Sequence, residues 1–307
     1  MSRARPSRAT VVPAPLLVLG AVASVQSGAA VATRLFPAVG PAGTVLLRLG
    51  LSGLLVLAVA RPRLQGRRRA DVGLAVLFGL VLAAMNATFY EALDRIPLGI
   101  AVTVEFVGPL TVAIAGSRRR LDLLWVGLAG AGVVLLGLLA GGFWGGSDLD
   151  GVGLLLALVA GGFWGCYILL SQRVGAVFPG ASGLAIGLTA GSVALLPFGI
   201  AAGGTELLDP SVLGRGLAVA LLSSAVPYSL ELFALRRLRA SVFGVLMSLE
   251  PAVAALSGLA FLGQHLGIQD WLAIACVMAA SVGATRRAGR DEVPVEPGAT
   301  PPGAVAA

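Results

Sequence analysis

Residues 96–115 read IPLGIAVTVEFVGPLTVAIA, twenty residues with a single charged side chain, Glu105. At about 1.5 Å of rise per residue, a helix of this length crosses the roughly 30 Å hydrocarbon core of a bilayer. A strand is disfavoured because the run is long and its apolar residues do not alternate. Nine more apolar runs accompany it: 13–33, 43–60, 72–93, 121–140, 151–171, 181–203, 214–235, 240–262 and 267–285. The expected fold is an all-α polytopic membrane protein with ten transmembrane helices.

Composition agrees. Hydrophobic residues make up 57% of the 307-residue chain and charged residues 12%, and the mean hydropathy is +0.93. A soluble domain carries about 25% charged residues. All 22 basic residues are arginine, and the net charge is +7. The arginines fall in short clusters between apolar runs and build no continuous basic surface, which argues against a nucleic-acid partner. The cysteines, Cys166 and Cys276, lie in apolar runs and read as small packing residues rather than a disulfide framework. Arg3, Arg5 and Arg8 before the first run, with Ala21-Val22-Ala23 inside it, imitate a secretory signal and its cleavage site. The repeat described below includes this run, so it is expected to be retained. The Pro-, Gly- and Ala-rich end reads as a disordered tail.

The arginines orient the helices. With a cytoplasmic N-terminus, 18 of them fall in inner segments, among them Arg67–Arg69, Arg118–Arg120 and Arg286 with Arg287. Only Arg34, Arg95 and Arg215 fall outside, and Arg48 lies within a run. Such a bias follows the positive-inside rule. An even number of spans puts both termini in the cytoplasm.

A constant shift of 142 positions relates the two halves. Phe36-Pro37 recurs as Phe178-Pro179, Ala92-Leu93-Asp94-Arg95 as Ala234-Leu235-Arg236-Arg237, and Pro109 as Pro251. Each half holds five runs, an odd number, so the second copy enters the membrane from the opposite side. Inverted repeats of this kind build secondary transporters, with the substrate near the midplane between the halves. A duplicated scaffold or sensor without transport is the alternative.

Four glutamates interrupt the apolar runs: Glu91, Glu105, Glu231 and Glu250. A charge at the bilayer centre costs about 2.5–3.5 kcal/mol on insertion scales, so such groups face a cavity, pair, or stay protonated. Glu105 and Glu250 sit near mid-run and are each followed by a proline, Pro109 and Pro251, that removes one helical hydrogen bond. Freed carbonyls at membrane depth are tolerated where they are buried or face water. Asn86 and Tyr90, four apart, share a helix face, as do Tyr228 and Glu231, three apart. These pairs are candidates to line a central cavity or to bond neighbouring helices. Glu91 is close to the outer end of its run, Trp164 is packing or cavity wall, and Trp144 reads as an interfacial anchor. Arg48, about five residues from the outer end of its run, is within reach of the interface.

Enzymatic readings fare worse. Gly50-Leu51-Ser52-Gly53 has the form used by intramembrane serine proteases, but the sole histidine, His265, lies beyond the outer end of the ninth run. No His-Glu-x-x-His, P-loop or cysteine cluster is present, so no metal or cofactor is expected and ATP-driven pumping is disfavoured.

Arg95-Ile96-Pro97-Leu98-Gly99-Ile100-Ala101-Val102 followed by Glu105-Phe106-Val107-Gly108-Pro109-Leu110 resembles the EamA family of the drug/metabolite transporter superfamily, and within it the threonine/homoserine exporter branch. Pro227-Tyr228-Ser229-Leu230-Glu231 and Phe243-Gly244-Val245-Leu246-Met247-Ser248-Leu249-Glu250-Pro251-Ala252 carry the same likeness. The resemblance covers essentially all ten runs. It implies two inverted five-helix EamA repeats in a bacterial inner membrane, with proton-coupled efflux of amino acids or related small polar metabolites. The expected organisation is a cytoplasmic tail at 1–12, repeats at 13–140 and 151–285, and a tail at 286–307. Small polar metabolites, protons and lipid are the expected partners, and a homodimer is compatible with the chain. After Phe261-Leu262-Gly263 the family commonly has Glu, but this chain has Gln264, which puts a coupling role for that position in doubt.

Overall fold

The computed structural model describes residues 13–62, 66–115, 122–138, 149–235, 237–238 and 240–291. Thirteen helices occupy the ten expected runs: α1 (Ala14–Thr33), α2 (Phe36–Ala60), α3 (Arg69–Leu93), α4 (Leu98–Glu105), α5 (Val107–Ala115), α6 (Asp122–Leu138), α7 (Gly151–Val177), α8 (Ser182–Gly203), α9 (Pro210–Ala220), α10 (Val226–Leu235), α11 (Ala240–Met247), α12 (Glu250–Leu262) and α13 (Ile268–Asp291). Among the described residues, six helical stretches are long and apolar enough to cross a membrane, and shorter apolar helices accompany them. The chain is an all-helical, multi-pass membrane protein. Leu54, Val59, Leu155, Phe198 and Leu272 are exposed, as lipid-facing side chains are. Trp144 lies outside the described residues. Cys166 is exposed and Cys276 half-buried, both free, so Cys166 is a surface residue and not the packing residue its apolar setting implied.

Two helix ends depart from the hydropathy pattern. The second run begins at Phe36 instead of residue 43. Pro37 sits in the first turn, where its missing N–H costs nothing. Gly40 takes φ 68°, a conformation open to glycine, and lets the helix kink and continue past Pro41. At the other terminus α13 runs to Asp291, six residues into the stretch assigned to the tail. Arginine is a good helix former, so the helix outlasts the apolar run.

Three runs are broken, and proline explains each. Pro109 has no N–H for the Glu105 carbonyl, and α4 gives way to α5 at Phe106. Pro251 has none for Met247, and α11 gives way to α12 across Ser248-Leu249. The eight-residue helices α4 and α11 start and end 142 positions apart. Between α9 and α10 lies a π turn, Leu221–Ala225, in which the Val226 N–H reaches Leu221 O. Pro227 cannot serve the Leu222 carbonyl that this turn releases. Ser24 of α1 does so instead, its Oγ donating to Leu222 O at 2.7 Å.

Much of the helix packing is symmetric under exchange of the halves. As α3 packs on α7, so α1 packs on α9 and α10. As α3 packs on α8, so α9 packs on α2, and as α5 packs on α7, so α12 packs on α1. Two further contacts, α2 with α8 and α6 with α13, map onto themselves, whereas α4 packs on α12 without a matching contact of α11 on α5. Small residues let these helices approach. A Cβ on Gly108 would collide with the Gly161 backbone of α7, and one on Gly99 would lie 2.7 Å from Ala255 of α12. Close backbone approach replaces the hydrophobic driving force that lipid does not supply.

Candidate functional site

A cavity of about 270 Å³ lies where the two halves meet, at the small end of sizes for small-molecule sites. Its charged and amide side chains are Gln26, Arg48, Asn86, Glu105, Glu231 and Glu250. Met85, Met247, Phe89, Trp164 and Tyr167 supply apolar walls. Trp164 stands edge-on to Phe106 with ring centroids 5.6 Å apart, which sets it beside the α4–α5 break.

The broken helices bring the two mid-run carboxylates together. Glu105 is the last residue of α4 and Glu250 the first of α12, and each is 7% exposed. Gln26 Nε2 donates to Glu250 Oε1 at 3.0 Å. Glu250 Oε2, Gln26 Oε1 and Ser223 Oγ are buried without a hydrogen-bond partner. Glu105 receives no hydrogen bond from any described residue. Unpaired polar atoms at this depth are costly unless a ligand or water meets them.

Arg48 is placed differently from its sequence expectation. Because α2 starts at Phe36, Arg48 sits midway along a 25-residue helix and not near its end. It faces the cavity, and Nη1 donates to the Tyr90 hydroxyl at 3.0 Å. Its guanidinium also lies 5.5 Å from the Tyr90 ring centroid.

Asn86 lines the cavity and donates to Leu82 O of its own helix at 2.9 Å. Tyr90 does not join it in the lining. It is fully buried behind Arg48, against Phe36 and Phe89. Glu91 is half-buried and away from the lining. Glu231 and Trp164 are in the wall, and the side chain of Tyr228 lies outside the described residues. Gln26 went unrecognised in the sequence because a neutral amide in an apolar run gives a weaker signal than a carboxylate.

Polar ties join the halves at the ends of the helices. Arg34 Nη2 donates to Phe261 O at 2.6 Å, and the Leu98 N–H donates to Gln264 Oε1 at 3.0 Å. Gln264 thus caps α4. Arg95 pairs with Asp150 at 3.1 Å. The hydrogen bond from Arg95, with amide bonds from Val152 and Gly153, holds the exposed Asp150 carboxyl below its usual value of 3.8. Ser52 Oγ is engaged with Ser224 Oγ at 3.0 Å, and His265 is exposed beyond α12, so the serine's partner is a second hydroxyl.

Comparison with known proteins gives a consistent picture. Residues 151–286 match the EamA-like transporter family. The chain is 45% identical over 275 residues to the threonine/homoserine exporter RhtA of Salmonella typhimurium strain LT2, covering 88% of this chain and 90% of that one. It is 44% identical over 274 residues to RhtA of Escherichia coli K12, with the same coverage. A solved crystal structure at 22% identity superposes with a TM-score of 0.59 over 91% of this chain and 99% of its own, a likeness of fold.

Proposed function

Because the chain belongs to the EamA-like transporter family, we propose that it exports threonine- and homoserine-like amino acids across a bacterial inner membrane, coupled to proton entry. The cargo follows from the names of the relatives. The observation that carries the reading is the polar cavity between the halves, walled by two broken helices with a carboxylate at each break. A non-transporting scaffold has no use for such a cavity, since unpaired buried polar groups weaken a packed interface.

The proposed architecture is ten spans in two inverted repeats, 13–140 and 151–285, with both termini cytoplasmic. The 142-residue match of α4 with α11 and the exchange symmetry of the helix contacts support it. Rocking one half against the other then opens the cavity to each side in turn. In this scheme Glu105 and Glu250 exchange protons or hold substrate, Asn86 and Glu231 add polar contacts, and Trp164 walls the site. Tyr90 acts through Arg48.

Purified protein in liposomes tests this. With a pH gradient imposed, it should move threonine or homoserine faster than protein-free vesicles. No movement of any amino acid in a broad metabolite panel would rule out the cargo. Unchanged rates in both Glu105→Gln and Glu250→Gln would remove the carboxylates from the mechanism.

A further inference from the structure

Arg48 is a guanidinium at the midpoint of a membrane helix and makes no direct ion pair among the described residues, although Glu105 of the same cavity lies within its electrostatic reach. No described carboxylate lies within 4.0 Å of the Arg48 guanidinium nitrogens. Among the described residues a phenol is its single hydrogen-bond partner. Tyr90, fully buried, fixes the direction of the guanidinium through Nη1 and its ring face. The remaining N–H groups of the fork are uncommitted on a residue that lines the cavity. A planar fork with free donors matches the two oxygens of a carboxylate.

The cavity has a second pole of opposite chemistry. Gln26 turns its NH2 toward Glu250 Oε1, which leaves the amide oxygen and Glu250 Oε2 without donors. Gln26 is 2% and Glu250 7% exposed. Two unfilled acceptors on one hydrogen-bonded pair call for a ligand with several N–H groups, as an ammonium has.

We propose that the cavity binds the zwitterion of an α-amino acid across two poles, with Arg48 taking the carboxylate and the Gln26–Glu250 pair taking the ammonium. This deepens the transport reading of the same cavity and rests on it. Tyr90 is a positioning residue for the carboxylate pole. Selection is then for the amino-acid backbone, while Met85, Met247 and Phe89 contact the side chain.

The test is displacement of labelled L-threonine from purified protein by L-threonine methyl ester, which lacks the carboxylate, and by N-acetyl-L-threonine, which lacks the ammonium. The wild type should reject each analogue by about tenfold or more relative to threonine, the size of one lost charge-assisted bond. Arg48→Gln should bind threonine and its methyl ester alike while still rejecting the N-acetyl analogue. Gln26→Leu should show the converse. If Arg48→Gln does not fold, Tyr90→Phe carries the test. It should narrow the discrimination against the methyl ester and leave that against the N-acetyl analogue unchanged. Full discrimination against the methyl ester in these Arg48 and Tyr90 variants would overturn the assignment. So would loss of the ammonium preference in Glu105→Gln with none in Gln26→Leu. Either result, with threonine still bound, leaves the transport reading standing. A wild type that binds no amino acid would instead remove that reading and the poles with it.

Discussion

The two broken helices share a position but not a chemistry. The α4–α5 and α11–α12 breaks lie 142 residues apart, each caused by a proline. Yet Glu105 stands where the second half has Met247, and Glu250 where the first half has Gly108. The glycine seam explains the second difference. Gly108 meets the Gly161 backbone so closely that no side chain fits. At the equivalent contact of the second half α12 faces α1, and there is room for Glu250 and its partner Gln26. Tight packing thus leaves no space for a side chain at Gly108, whereas the equivalent position has space for Glu250. The lesson is that the backbone device is shared while the polar groups are particular to each half.

Putting a side chain into the seam should break the comparison most severely. Gly108→Glu, which copies the second half's residue into the first, forces the backbones of α5 and α7 apart. Overpacking of this kind costs about 3 kcal/mol or more, and the variant should fail to yield monodisperse protein in detergent. Wild-type behaviour on gel filtration would refute the seam argument.

Apolar replacement separates the two glutamates. Glu250→Leu strands the Gln26 NH2 and should destabilise by about 1–3 kcal/mol. Glu105→Leu strands no described donor and should cost less. Thermal unfolding in the same detergent ranks the two, and equal losses would contradict the asymmetry.

Gln264→Ala removes the cap of α4, with an expected cost of about 1 kcal/mol. Gln264→Glu keeps the accepting oxygen and should unfold near the wild-type temperature. An Ala variant as stable as wild type would deny the cap. At the second break, Ser248→Ala removes the bonds to Gly244 O and Ser281, for about 0.5–1.5 kcal/mol. The smallest effect belongs to the Arg95–Asp150 tie. Depressed titration of Asp150 means that its contribution is present above the ordinary value of 3.8 and is lost as pH falls through the lowered one. An Arg95→Ala variant should match the wild type at pH below that window and be slightly weaker above it. A difference that grows on acidification has the wrong sign.

Hydropathy made the ten runs legible because lipid imposes it on every span. Helix ends were less legible where proline and glycine serve a helix instead of ending it. That is how Phe36–Gly43 looked like a connection and Arg48 looked close to the interface. Periodicity placed Asn86 and Tyr90 on one face, but could not tell that Arg48 would come between Tyr90 and the cavity. Carboxylates in apolar runs announced themselves, and Glu105, Glu231 and Glu250 all reached the wall. Gln26, also in the wall, gave no such signal, since its meaning depends on Glu250, 224 residues away.

The methionines in the wall carry a consequence for anyone adapting the protein to larger cargo. The seams at Gly108 and Gly99 cannot be widened without prising helices apart. Met85 and Met247 are unbranched and pliable, and shortening either frees volume without touching a backbone contact. Cargo size is therefore adjustable at two side chains, while the frame that must move during transport stays as it is.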